Sequence, residues 1–188
     1  LKFKRTLLNL EKDVVYLACY IPPHDSPFWN ISQNGYGLEP LEKCLLDIHN
    51  VIVDFDIILC GDFNARTASQ NCNDESDEFD VLVKPNNDAF IRSSQDEITN
   101  IFGDQLIELC NITDCIILNG LQNYYFDDSF SYISAHGSSL VDYFIMSKSL
   151  FLSLNVDSLT VENRVESDHL PVSLKILQHI NVHDQQTQ

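Results

Sequence analysis

The chain has 188 residues, 44% of them hydrophobic, and a formal net charge of −17 at pH 7. A chain of this length can bury one hydrophobic core, so a single domain over residues 1–188 is expected. The strong negative charge argues against the non-specific nucleic-acid binding in which Lys and Arg neutralise phosphates. The sequence shows neither a secretory leader pattern nor an apolar run long enough to cross a bilayer, so a protein that is neither secreted nor bound to a membrane is expected.

The first half of the sequence alternates strand patterns with helix patterns. A run of strand-forming residues that stops at Pro22 and Pro23 predicts the first buried strand. Apolar residues at helical spacing after Glu39 predict the first helix, and a polar passage over residues 67–94 predicts an extended loop. The elements predicted in this half are a strand at 14–21, a helix from 39, a strand at 57–60, a helix at 99–111 and a strand at 115–118.

The second half of the sequence contains closely spaced strand patterns. The predicted strands are residues 130–134, 140–147, 156–161 and 170–177. No linker composition separates the two halves, and the sequence has no internal repeat. The sequence therefore predicts one α/β domain in which sheets and helices form packed layers.

The cysteines are distributed along the chain, and several lie within apolar periodic segments. None of the six forms a C-x-x-C pair; they are Cys19, Cys44, Cys60, Cys72, Cys110 and Cys115. This distribution favours reduced thiols that fill the core over a disulfide framework. Reduced thiols are typical of an intracellular protein.

The motif Gly61-Asp62-Phe63-Asn64 follows directly on a buried strand. If the extended backbone continues to Asn64, the side chains of Asp62 and Asn64 point the same way and Phe63 turns toward the core. A carboxylate beside an amide can orient a water molecule and donate a hydrogen bond to a developing charge. The alternative is structural: a turn at Asp62, with Asn64 capping the segment that follows.

Two later segments strengthen the catalytic interpretation. Asp142 is predicted in the middle of an apolar strand, where an unpaired carboxylate would be costly to bury. His169, at the start of the last strand, can pair with Asp142 and be held protonated by it. Asp168 would then be free to bind a metal or to orient water. Taken alone, each of these residues also fits an ordinary structural hydrogen bond.

The string Tyr125-Phe126-Asp127-Asp128 matches the Y-x-D-D motif in which reverse transcriptases hold two metals. That motif requires apolar strands on both sides and a third aspartate from another strand, whereas polar residues flank the string here. The string is therefore interpreted as a polar turn before the strand predicted at 130–134.

The motifs G-D-F-N, S-S-L-V-D-Y and S-D-H-L-P-V occur in this order along the chain. Together they resemble the endonuclease/exonuclease/phosphatase superfamily, which has the DNase I-like fold, and the resemblance extends over residues 14–177. The longer segments G-D-F-N-A-R-T, F-G-D-Q-L-I-E-L-C, I-L-N-G and G-S-S-L-V-D-Y are similar to the endonuclease domain of non-LTR (LINE-type) retrotransposons. The resemblance implies an α/β fold, a DNase I-like layered β-sandwich flanked by helices.

The resemblance also implies roles for individual residues in metal-dependent hydrolysis of DNA. Asp62 would orient or deprotonate the attacking water, and Asn64 would stabilise the pentacovalent phosphate. His169, supported by Asp142, would contact the scissile phosphate. Tyr20 matches the Tyr-x-Pro position of the family, whose hydroxyl contacts the phosphate.

A cofactor and partners follow from the same resemblance. Asp168 would lie at a divalent metal, Mg²⁺ or Mn²⁺, and the substrate would be DNA. A reverse transcriptase domain is expected in the parent polyprotein, and the endonuclease domain itself is expected to be a monomer. An intracellular location that includes the nucleus is also expected.

The sequence departs from the family at its start. Family members carry an asparagine and then a metal-binding glutamate, usually in a Gln-Glu-Thr-like motif, upstream of the Tyr-x-Pro strand. Before Val14 the chain has only Glu11 and Asp13 as acids, and neither lies in such a motif. An N-terminally truncated fragment with weak or no nuclease activity is therefore expected, because Asp168 with water is a poor substitute for a second carboxylate on Mg²⁺. The alternatives are a non-catalytic remnant of the fold and a phosphatase of the superfamily that acts on another phosphoester.

Overall fold

A computed structural model describes residues 1–32, 35–72, 90–163 and 167–177. Within these ranges the strands are β1 (Lys2–Phe3), β2 (Asp13–Tyr20), β3 (Phe55–Asp62), β4 (Cys115–Ile117), β5 (Tyr132–Ser134), β6 (Gly137–Ser139), β7 (Asp142–Ser147), β8 (Asn155–Val161) and β9 (Val172–Leu177). The α-helices are α1 (Arg5–Leu8), α2 (Glu39–Val51), α3 (Ile101–Ile112) and α4 (Lys148–Ser153). No helix in the described part of the chain is both long enough and apolar enough to cross a lipid bilayer.

The central sheet has five strands in the order β1-β2-β3-β7-β4. Strands β2 and β3 run parallel, and the other neighbouring pairs are antiparallel. Helix α2 lies in the connection between the two parallel strands, because a parallel pair requires a long crossover. The hairpins β5–β6 and β8–β9 form separate two-stranded sheets.

The central sheet is buried on both faces, and alternate residues of one strand enter different cores. In β7, Tyr143 and Ile145 lie in the core formed with α2 and α3, whereas Met146 lies in the core formed with α4, β8 and β9. The same alternation separates Leu59 from Ile58 in β3. Burial on both faces explains why these strands have continuous apolar sequences.

The architecture is thus a mixed sheet with helices on one face and the β8–β9 hairpin with α4 on the other. It confirms the predicted layered α/β arrangement. The six cysteines are free thiols, and Cys110 of α3 and Cys115 of β4 are buried in the same core.

The strand around Asp142 differs from its prediction. The strand predicted at 140–147 begins only at Asp142, as β7, so this carboxylate lies at the start of a strand and not in its middle. The backbone N–H groups of residues 140–142 donate to the side chains of Asp96 and Ser131. These N–H groups are therefore not available for hydrogen bonds to a neighbouring strand, and the strand begins later than predicted.

Other elements differ from their predictions mainly at their ends. Helix α3 begins at Ile101, because the Oδ1 atom of Asn100 caps it by accepting a bond from Gly103 N at 2.8 Å. Strands β5 and β9 each begin two residues later than predicted. Four short elements were not predicted, because two to six residues are too few for a periodic pattern to be visible: strands β1 and β6 and helices α1 and α4. Most of the polar passage at 67–94 lies outside the described residues.

Candidate active site

The predicted site residues lie where three neighbouring strands of the central sheet meet at one end. Tyr20 of β2 is in register with Asp62 of β3, and Asp62 is in register with Asp142 of β7. Side chains of residues in register point to the same face of a sheet. The segment before β9 brings His169 to this row of residues. The fold therefore gathers side chains from four separate parts of the sequence.

Gly61 allows β2 and β3 to approach closely beside the site. Its φ angle is +129°, and a Cβ atom at this position would lie 2.1 Å from the carbonyl oxygen of Cys19. A side chain here would push β2 away from β3 and separate Tyr20 from Asp62. The backbone therefore requires the glycine of the G-D-F-N motif.

Asp62 and Asn64 form a hydrogen-bonded pair. The backbone N–H of Asn64 donates to Asp62 Oδ1 at 2.8 Å, and Asn64 Nδ2 donates to Asp62 Oδ2 and to the carbonyl of Ile21, both at 2.9 Å. Phe63 is fully buried between them, as predicted. The φ angle of Asn64 is +46°, so the extended backbone on which the prediction depended ends before this residue. The two polar side chains meet because the chain turns, and Asn tolerates the left-handed conformation.

Asp142 and His169 are in direct contact, as the sequence predicts. Asp142 Oδ2 lies 3.0 Å from His169 Nδ1. The second ring nitrogen, Nε2, lies 3.9 Å from Asp62 Oδ2. The imidazole is therefore placed between two carboxylates, and with 38% of its side chain exposed it can also be reached by a substrate.

Burial and charge shift the pKa values of the two central groups. Burial raises the pKa of Asp62, the nearby Asp142 carboxylate raises it further, and the hydrogen bonds from Asn64 oppose the shift. Burial alone would lower the pKa of His169, but the bond to Asp142 and the charges of Asp62 and Asp168 outweigh it and raise this pKa. A carboxylate with a raised pKa beside a protonated imidazole has the properties of a general base next to an electrostatic stabiliser.

Ser131 supports the site, although the sequence analysis did not single it out. It is fully buried, and its hydroxyl accepts a hydrogen bond from the backbone N–H of Asp142 at 3.0 Å. Its carbonyl oxygen accepts a bond from Leu170 N at 2.7 Å. Ser131 therefore ties the backbone on both sides of the Asp142–His169 contact to one residue.

Two asparagines also hold the backbone of the site. Asn119 Nδ2 donates to the carbonyl of Asp142 at 3.2 Å, and Asn100 Nδ2 donates to the carbonyl of Asn64 at 3.0 Å. Asn100 could have been found in the sequence, because it directly precedes an apolar helical pattern where a capping residue is expected. Asn119 lies in the segment I-L-N-G that contributes to the family resemblance, but no local pattern indicates its contact with Asp142.

Tyr20 and Asp168 lie at the edge of this arrangement. Tyr20 is 67% exposed and lies beside Asp62 through the strand register. Asp168 is exposed, with its carboxylate 3.5 Å from the hydroxyl of Ser167. In the described ranges, no group of three or more His, Cys, Asp or Glu side chains could hold a metal ion. Asp168 therefore fits a divalent cation only as a single carboxylate, as in sites where water and substrate phosphate complete the coordination of Mg²⁺.

Comparison with known proteins agrees with this geometry. A sequence profile described as endonuclease-reverse transcriptase matches residues 14–173, a range that includes every residue of the site. The chain belongs to the endonuclease-reverse transcriptase family. The predicted resemblance to the endonuclease/exonuclease/phosphatase superfamily is thereby confirmed.

A solved structure similar to this family member is the endonuclease domain of TRAS1, a telomere-specific non-LTR retrotransposon. The two have 17% sequence identity and a TM-score of 0.51, and the match covers 88% of this chain and 57% of the TRAS1 chain. The match shows a DNase I-like fold and confirms the predicted fold class. The chain spans less than two thirds of that structure. A search of curated proteins finds no match.

Proposed function

We propose that the chain is a retrotransposon-type endonuclease domain that hydrolyses phosphodiester bonds of DNA. The observation that carries this proposal is the contact of His169 with Asp142 beside the hydrogen-bonded pair of Asp62 and Asn64. Membership of the family and the fold shared with the TRAS1 domain support it. A reverse transcriptase domain in the parent polyprotein, a monomeric state and action in the nucleus remain predictions from the family resemblance.

Asp62 serves as the general base that accepts a proton from the attacking water. Its raised pKa makes it a stronger base than an ordinary carboxylate. Asn64 holds this carboxylate in place with two hydrogen bonds. The amide group of Asn64 already donates to Asp62 and to Ile21, so its main role is to orient the base. Donation from Asn64 to the phosphate requires one of these two bonds to be exchanged.

His169 contacts the phosphate through Nε2. The bond between Nδ1 and Asp142 fixes the orientation of the ring. The raised pKa of His169 favours the imidazolium, whose positive charge stabilises the negative charge that develops on the phosphate oxygens. The hydroxyl of Tyr20, beside Asp62 in the strand register, supplies a second donor to the same phosphate.

The proposed cofactor is Mg²⁺ or Mn²⁺, and its proposed ligand in this chain is Asp168. Such an ion supplies charge neutralisation at the phosphate and at the leaving oxygen. A single exposed carboxylate binds it weakly. The net charge of −17 also repels a polyanionic substrate. For both reasons DNA hydrolysis is slow.

The negative charge favours a second candidate function. A small phosphodiester does not require the protein to neutralise many phosphates, so the charge of −17 opposes its binding less than that of DNA. The same residues would then hydrolyse a small phosphoester in place of DNA.

The test is nicking of supercoiled plasmid by the wild-type chain and by His169→Ala, in Mg²⁺, in Mn²⁺ and in EDTA. We expect slow nicking that requires both the metal and His169. A parallel assay with bis(4-nitrophenyl) phosphate separates the two candidates, because hydrolysis of this compound without nicking identifies a small-phosphoester enzyme. Equal rates for wild type and His169→Ala on both substrates would identify a non-catalytic remnant.

A further inference from the structure

Asp96 connects the two segments that carry the site. Strands β3 and β7 pair as far as Asp62 and Asp142, and a backbone bond of 3.0 Å from Phe63 N to Val141 O is the next contact between them. Beyond this last contact, the segment after Phe63 and the segment before Val141 are joined by the side chain of a third residue, which belongs to neither segment. That residue is Asp96, which lies before α3.

The carboxylate of Asp96 accepts hydrogen bonds from both segments. Arg66 donates to it from Nε at 2.8 Å and from Nη2 at 2.5 Å, and Leu140 N donates to it at 3.0 Å. Arg66 lies two residues after Asn64, and Leu140 lies two residues before Asp142. One side chain thus sets the distance between the base segment and the segment that supports the imidazole.

The chemistry of this contact indicates that the relative orientation of the two segments matters. Asp96 is 2% exposed, and the side chain of Arg66 is 25% exposed. Two apolar side chains could hold the segments together without the cost of desolvating charges. A guanidinium that binds a carboxylate through two bonds also fixes the relative orientation of the two groups. Burial alone would raise the pKa of Asp96, but the bonds from Arg66, Leu140 and Ile98 outweigh it and lower the pKa.

The backbone of Arg66 is fixed as firmly as its side chain. Arg66 N donates to Asn100 Oδ1 at 2.9 Å, and Asn100 N donates to the carbonyl of Arg66 at 3.0 Å. A Cβ atom on Gly103 would lie 1.9 Å from the same carbonyl oxygen, so α3 packs directly against this peptide. The segment after Asn64 is thus held against α3, and the bond from Leu140 N to Asp96 ties the segment before Asp142 to this fixed point.

We infer that Asp96 is a positioning residue, which sets the separation of Asp62 and Asn64 from Asp142 and His169. Its catalytic consequence rests on the proposed nuclease function, whereas its effect on the geometry does not. A displacement of about 1 Å in such a site can reduce the rate roughly 100-fold.

The experiment compares Asp96→Asn, Arg66→Gln and the double variant with the wild-type chain. The matched control is Asp127→Asn, because Asp127 also accepts several hydrogen bonds, from Ser129 and Val161, but lies outside the site. The readouts are the Tm, the hydrogen exchange of Leu140 N–H and of the Asn64 side-chain amide by NMR in EDTA, and kcat and KM for nicking. Arg66→Lys, which keeps the charge and loses the two-bond geometry, serves if Asp96→Asn does not fold.

Each single variant leaves one charged partner unpaired, so its Tm should fall, whereas the double variant should recover most of the Tm. If Asp96 positions the site, the Leu140 N–H and the Asn64 side-chain amide should exchange faster in the double variant than in the wild type, by about tenfold or more. The kcat should also fall by about tenfold or more, with little change in KM. Asp127→Asn should lower the Tm without either effect.

If the double variant has the same exchange rates and the same kcat as the wild type, the inference is wrong, because the ion pair would then be merely structural. The same conclusion would follow if Asp127→Asn changed exchange at Leu140 and Asn64 as much as Asp96→Asn does. If no variant and no wild-type protein nicks DNA, the nuclease proposal fails, and the exchange data still decide whether Asp96 positions the site.

Discussion

Two aspartates on strand β3, Asp56 and Asp62, lie at opposite ends of the strand and on the same face of the sheet. Asp56 is 6% exposed, and its carboxylate accepts a hydrogen bond of 2.5 Å from the hydroxyl of Ser149. The side chain of Asp62 is 12% exposed, is bonded to Asn64, and lies 3.9 Å from His169 Nε2. Both carboxylates are largely buried, yet only one lies in a candidate active site.

The difference lies in the partners, not in the burial. At the Asp56 end the partners are hydroxyl groups: the exposed Ser149 donates to Asp56, and the buried Ser147 Oγ accepts a bond from Ile57 N at 2.8 Å. At the Asp62 end the imidazole of His169 has 38% of its side chain exposed. A hydroxyl that donates to a buried carboxylate serves the structure alone, whereas a partly exposed imidazole beside such a carboxylate can also bind a substrate.

The largest effect is expected for Asp142→Asn. The substitution removes the charge that supports His169, so nicking should slow by about 100-fold or more, as expected for loss of an oriented acid–base partner. The initial rate of nicking at a fixed Mg²⁺ concentration measures this effect. Asp56→Asn is the control at the other end of the sheet and should leave the rate unchanged; an equal loss in both variants would contradict the distinction between the two ends.

A smaller effect, on stability, is expected for Asp56→Ala. The substitution removes the acceptor of the Ser149 hydroxyl, which is exposed and can bond to water in its place, so the free energy of unfolding should fall by about 0.5–1.5 kcal/mol. Urea unfolding measures this change. Stability equal to that of the wild type would show that the bond between Asp56 and Ser149 contributes little to the fold.

Asp62→Asn should change stability in the opposite direction. The raised pKa of Asp62 means that the folded state disfavours its ionised form, so removal of the charge should stabilise the protein by up to about 1 kcal/mol at pH 7. Nicking should also slow in this variant, because an amide cannot accept the proton of the attacking water. A clear loss of stability would show that the bonds from Asn64 outweigh the cost of burying this carboxylate.

The smallest effect is a pH dependence from His169. Because its pKa is raised in the folded state, its contribution to stability is fully present below the ordinary histidine pKa, near 6.5, and is lost as the pH rises through the folded pKa. The difference in unfolding free energy between wild type and His169→Gln should therefore shrink between pH 6 and pH 9. It should stay below about 1 kcal/mol, since solvent screens a pair that is partly exposed. A difference that grows with pH would show that the pKa of His169 is lowered in the folded state, contrary to the effect expected from its contact with Asp142.

The sequence predicts the parts of the site that depend on motifs and on the cost of burying charge. An acid near an apolar strand requires a partner, and this argument correctly pairs Asp142 with His169. The prediction that Asp142 lies in mid-strand is wrong, because Ser131 and Asp96 take the backbone donors around it. Such side-chain bonds to distant backbone leave no periodic signal in the sequence.

The contact between Arg66 and Asp96 could not be predicted for the same reason. It spans 30 residues, and no local pattern shows which buried charges will meet. Strands β2, β3, β4 and β7, by contrast, were predicted to within about two residues, because burial on both faces gives them continuous apolar sequences.

The most direct test of hydrolysis by water at this site is the chemistry of the nicked ends. Water that loses a proton to Asp62 and attacks the phosphorus opposite the 3′ oxygen breaks the P–O3′ bond. The departing 3′ oxygen takes a proton from solvent, so the nicks should have 3′-hydroxyl and 5′-phosphate ends. Plasmid nicked by the wild-type chain in Mg²⁺ is therefore incubated with DNA ligase without any prior treatment, and His169→Ala provides the background. We expect the His169-dependent nicks to be sealed directly. Nicks that ligase cannot seal, or that form equally in His169→Ala, would contradict this expectation.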